Sequence, residues 1–186
     1  MMKQALFMLV SVLFFSCTKD RVFPVIDPIN NNDTIQVVPG LLKINEFVAK
    51  GSILTNELGI NDDWVEIYNP TNKVVTLQAN SWYLTDDAVG AKTRFELPSF
   101  SIEPFGYKLI FCDGQNVIQT QIHTNFGLSS AGEHVGLFYK SGNDILEIDS
   151  KEFGPQTIEN QSEGRSPDGS PNWTTFSNPT PGTANQ

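Results

Sequence analysis

The chain has 186 residues, 39% hydrophobic and 11% aromatic, enough for one core of ordinary size that buries roughly 70% of the surface of the unfolded chain. With 12 Lys and Arg against 21 Asp and Glu, the formal charge is -9, and that field repels phosphate backbones, which excludes general nucleic-acid binding. The 13 Phe exclude a disordered, solvated tail as the character of the whole chain.

In chain order, the first element is a leader: Lys3, an apolar run from Ala5 to Phe15, then Ser16-Cys17. The run fits a secretory signal and falls short of the roughly 20 residues that a membrane-spanning helix needs. The stretch "LFFSCTKD" resembles the lipobox of bacterial lipoproteins, with a small residue before a Cys whose thiol is acylated and becomes the mature N-terminus. That resemblance implies a signal peptide over residues 1–16, lipidation of Cys17, and a lipid anchor in the outer membrane, because Thr18 rather than Asp follows the Cys. The domain would face the periplasm or the cell surface. Residues 17–40, with three Pro and an Asn-Asn-Asn-Asp cluster, have the composition of a flexible tether, spanning about 25 Å as a coil and up to about 75 Å stretched.

From Leu41 the pattern changes to short apolar runs separated by turn residues. Strands are expected over 42–48, 63–68, 73–77, 82–85, 93–97, 107–112, 134–139 and 144–148, with Asn69-Pro70, Asp86-Asp87, Pro104-Phe105-Gly106, Asp113-Gly114, Gly132-Glu133 and Ser141-Gly142-Asn143 as separators. No segment sustains a 3.6-residue period for long, so an antiparallel sandwich or barrel is expected. The tail after Ser162 is rich in Pro, Gly, Ser and Thr, but Trp173 and Phe176 indicate that part of it packs back on the body.

Several residue sets invite a chemical reading. In "DWVEIYNP", period-2 alternation sends Val65 and Ile67 to the core and Trp64, Glu66 and Tyr68 to the other face, where Glu66 would sit in water or in a hydrogen-bonded pairing. Glycoside hydrolysis would need a second carboxylate about 5 to 10 Å from Glu66, for which Glu46 or Asp86 are candidates. Asp62, Asp63, Asp86 and Asp87, at likely loop ends, are candidate calcium ligands, although the spaced loop of an EF-hand is absent and paired Asp residues commonly form turns. His123 and His134, with Ser129, Ser130 and Glu133 between them, lack the spacing of known nucleophilic and zinc motifs. Cys112 reads as a small buried hydrophobe. Trp64, Trp82, Tyr83, Trp173 and Phe176 could form an aromatic recognition platform or belong to the core.

The blocks "LLKINEF", "DWVEIYNPTNKVVTL", "SWYLTDD", "TRFELPSFSIEPFGYKLIFCDG", "HTNFGLSSAGEHVGLFYKSG" and "GRSPDGSPNWTTFSNPTPGTAN" together resemble the lamin-tail domain in its bacterial form, over residues 41–186. The resemblance implies an all-β, immunoglobulin-like antiparallel β-sandwich in which the "DWVEIYNP" block is a structural strand and turn. It also implies a recognition surface, as nuclear members of the family use the domain, on a secreted or lipid-anchored protein, as bacterial members are. The expected function is a non-enzymatic binding or scaffolding module for a protein or glycan partner, with no cofactor. The alternatives are a calcium-dependent carbohydrate-binding module and a hydrolase using Glu66 or His123.

Overall fold

The computed structural model describes residues 23–25, 35–87 and 89–186. The expected signal peptide, Cys17 and much of the expected tether lie outside the described residues. Among those residues every regular element is a strand: β1 (Phe23–Val25), β2 (Ile35–Val37), β3 (Lys43–Val48), β4 (Trp64–Tyr68), β5 (Val75–Leu77), β6 (Trp82–Thr85), β7 (Phe95–Glu96), β8 (Phe100–Ile102), β9 (Tyr107–Phe111), β10 (Val117–Ile118), β11 (Ile122–His123), β12 (Glu133–Ser141), β13 (Asp144–Phe153), β14 (Ser162–Arg165) and β15 (Trp173–Phe176).

They form a seven-stranded sheet, β10-β11-β9-β4-β3-β14-β15, and a four-stranded sheet, β13-β12-β6-β7, with β1-β2 and β5-β8 as separate pairs. Only β11 and β9 run parallel among these neighbours. Alternation then fixes the core. Ile44, Val65 and Ile67 of β3 and β4 meet Trp82, Leu84, Val135 and Leu137 of β6 and β12 in one apolar cluster. This is the immunoglobulin-like β-sandwich, with the expected inward placement of Val65 and Ile67.

Two features differ from the sequence reading. The folded body does not begin at Leu41: Val37 is fully buried in the core, and the Gly40 amide donates to the Ile148 carbonyl at 2.6 Å, so the last residues assigned to the tether are structured. In addition, β4 is buried on both faces. Its outer face carries a second small cluster of Trp64, Val48 and Phe111, under Leu54 of the 49–62 loop, and farther along it lies beneath the C-terminal segment.

Candidate functional site

Glu66 and Glu46 face one another directly across β4 and β3, and both are fully buried. A register shift between Ile44 and Glu46 inserts Asn45 as a bulge, which turns Asn45 and Glu46 toward the same covered space. The C-terminal segment closes that space. Gly182 N donates to Glu66 Oε2 at 2.5 Å, and Asn45 Nδ2 lies 3.4 Å from Glu66 Oε1. Glu46 accepts from the Ser162 hydroxyl and from the amide and hydroxyl of Thr180, the latter at 2.9 Å. Asp168, half-buried at the edge, accepts from Asn45 Nδ2 at 2.9 Å, Asn185 N at 3.1 Å and Tyr107 Oη at 2.6 Å.

Burial pushes the Glu66 carboxyl up to about 8, and the neighbouring Glu46 and Asp168 push the same way against the Gly182 and Asn45 hydrogen bonds. Of the two placements expected for Glu66, in water or in a hydrogen-bonded pairing, the second is the one found. Glu66 does lie on the face away from the main core, but the tail covers it, and hydrogen bonding rather than hydration satisfies it. The second carboxylate posited for hydrolysis, Glu46, does stand opposite. Donors from Thr180 and Gly182 meet the carboxylate oxygens that a sugar or an attacking water would need.

His123 is also fully buried. Its Nδ1 lies 2.5 Å from Asp113 Oδ2, its ring stacks on Phe111, and Nε2 sits 3.5 Å from Glu57 Oε1 without a hydrogen bond. Glu57 and Gln121 exchange backbone-to-side-chain bonds at 2.6 and 3.1 Å, so the imidazole belongs to a clasp joining the 49–62 loop to β11. A hydrolytic base at His123 would have to be reached by substrate, and this one is enclosed.

The four Asp residues suggested for calcium turn toward separate partners. Asp62 accepts from Asn56 Nδ2 at 3.2 Å, and Asp86 pairs with Arg94 at 2.5 Å. Asp87 Oδ1 accepts the amides of Val89 and Gly90, and the Gly90 bond holds its carboxyl below the usual range. Asp63 is pushed up to about 7 by burial, opposed by a bond from the Leu128 amide and aided by Asp62 and Glu133. Among the described residues no group of three or more His, Cys, Asp or Glu is arranged to hold a metal ion. Asp62, Asp86 and Asp87 thus hold turns or pair with neighbouring side chains.

The aromatic platform is corrected too. Trp64, Trp82 and Tyr83 are buried, with Trp64 Nε1 donating to Ser52 Oγ at 3.2 Å and Tyr83 Oη to the Asn80 carbonyl at 3.2 Å. Trp173 is half-buried, flanked by the Lys151 ammonium at 4.9 Å and the Arg165 guanidinium at 4.6 Å. Cys112 is enclosed, and burial pushes its thiol well above its ordinary value, in keeping with an inert side chain.

A groove of about 670 Å³ lies open at one end of the sandwich, lined by Asp86, Asp87, Arg94, Glu133, His134 and Glu152 among others. The loop after β6, the start of β12 and the end of β13 build it. Burial holds His134 below its ordinary value against the pull of Glu147, Glu152, Asp87 and Asp86. Val89, at the rim, is 94% exposed. Sequence reasoning had Asp86, Asp87, Glu133 and His134 in view but could not join them to Glu152, which lies far along the chain.

An immunoglobulin-like sandwich whose buried acids are tied up internally, and whose open chemistry lies at loop ends, defines the class of binding and scaffolding modules. The family model described as Lamin Tail Domain matches residues 37–152, and the chain belongs to the lamin tail domain family. No curated protein matches it.

Proposed function

We propose that this protein is a non-enzymatic, lipid-anchored recognition module of the cell envelope, held to the outer membrane through Cys17 and facing the periplasm or the cell surface. Its partner would be a protein or glycan that enters the groove between β6, β12 and β13. The observation that supports this reading is the contrast between the groove and the rest of the acidic chemistry. Glu46, Glu66, His123 and the side chain of Asp113 are enclosed, whereas Asp87, Glu133 and Glu152 line open space beside Arg94 and His134. The acidic lining favours a partner segment that carries Lys or Arg, by electrostatic complementarity.

A photoreactive residue at Val89 in the full-length chain tests the groove in the native envelope. The expected result is crosslinking to one partner that weakens several-fold in the Asp87→Asn, Glu152→Gln double variant. Crosslinks spread over many proteins, or unchanged in that variant, would contradict it. The anchor is tested by labelling with a fatty-acid analogue: label is expected on the parent and absent from Cys17→Ala.

A further inference from the structure

The space beneath residues 177–186 holds the carboxylates of Glu46 of β3 and Glu66 of β4, with Asp168 of the β14–β15 loop at its edge, and among the described residues every donor that reaches them is neutral. The donors are the hydroxyls of Ser162, Thr180 and Tyr107, the amides of Thr180, Gly182 and Asn185, and Asn45 Nδ2. The guanidinium nearby among the described residues, Arg165 of β14, directs its nitrogens to the carbonyls of Ile44 and Ser170 and to Asp149. The remaining titratable neighbours are Tyr107 and Tyr68, stacked at 5.1 Å. Like charges so close, with no cation among the described residues bonded to them and with Glu46 and Glu66 fully buried, cannot all stay ionised at low cost.

We propose that residues 177–186 form a proton-linked latch, which closes over Glu46 and Glu66 while Glu66 holds a proton and loosens as that proton leaves. Glu66 is the site of the proton, because it is fully buried opposite Glu46 and is met by fewer donors, the Gly182 amide and a long contact from Asn45, than Glu46, which accepts from Ser162 and from both the amide and the hydroxyl of Thr180. The sign follows from the two states. Closed, Glu66 keeps its proton up to about pH 8; opened to solvent, it returns toward its ordinary value of 4.5. Between those limits the closed form holds one proton more than the open form, so raising the pH favours opening by up to about tenfold per unit. Below the window, and above it, the equilibrium is flat.

Hydrogen exchange at the Gly182 and Asn185 amides of the full-length chain, corrected for intrinsic chemistry and followed from about pH 5 to about pH 9, reads the latch directly. Protection is expected to fall by up to about tenfold per unit until near pH 8 and then level, while the amides of β4 stay unmoved. Glu66→Gln, which still accepts from Gly182 but cannot titrate, is expected to flatten the profile. Thr180→Ala removes a donor to Glu46 and leaves Glu66 in place; it should lower protection at every pH and keep the slope. A flat parent profile, an unaltered slope in Glu66→Gln, a lost slope in Thr180→Ala, or β4 amides that track the latch would each overturn the proposal.

Discussion

Asn69 ends β4 with its side chain fully enclosed, and its Nδ2 faces the carbonyls of Lys73 at 2.7 Å and of Ile102 and Glu103 at 3.0 Å each. Its Oδ1 accepts from the Thr71 amide and hydroxyl, and its own amide donates to Gly106. One amide thus ties β4 to the β5-β8 pair. Asn69→Ala should cost about 2–3 kcal/mol, since several buried carbonyls lose a donor at once, and Asn69→Asp should cost more near neutral pH because a carboxylate would face those same carbonyls. Urea denaturation of the two variants checks both the size and the order. The sequence shows Asn69-Pro70 as a strand stop, and that much holds. The three carbonyls come from residues distant in the chain, so its role as a tie is invisible there.

At the scale of elements, β14 lies between β3 and β15 and owes its fit to Gly164. A Cβ at that position would come within 2.7 Å of Asn185 Nδ2, 2.9 Å of the Phe176 ring and 3.1 Å of Glu46 Cγ. Gly164→Ala is therefore expected to destabilise the protein by about 1–3 kcal/mol in thermal unfolding, with exchange at Asn185 quickened before that of β4. The strands with clear alternation, β3, β4, β9 and β12, could be read from period-2 patterning because each has an apolar row that must face inward. Turn residues did as much for the loops: Gly114, Gly132 and Gly142 have the positive φ that their separators suggested. Strands of two or three residues, such as β8, β10 and β11, carry too few positions to show a period. "SEGR" of β14 looks like a loop because its glycine serves close approach, not a turn. The bulge at Asn45 leaves no local mark either, and without it the meeting of Glu46, Glu66 and Asp168 could not be foreseen.

Across the whole molecule, the two sheets are joined at one edge by polar chemistry as well as by the core. Arg165 of β14 binds Asp149 of β13 at 2.9 Å, and the same carboxyl oxygen accepts the Ile44 amide of β3 at 2.9 Å. The C-terminal segment then covers the outer face of the larger sheet, so β14, β15 and residues 166–186, which follow the 37–152 family match, complete the sandwich. Acidic residues among those described consequently include some enclosed as structure and others left open to solvent, at the groove and elsewhere on the surface. Carbodiimide labelling of the folded full-length chain near pH 6, read residue by residue by mass spectrometry, separates these populations directly. Glu46 and Glu66 are expected to resist modification while the exposed Glu103 and Glu159 react freely; equal labelling of Glu46 and Glu66 with those two would mean that the acids lie open to solvent and that the enclosed, structural role assigned to them is wrong.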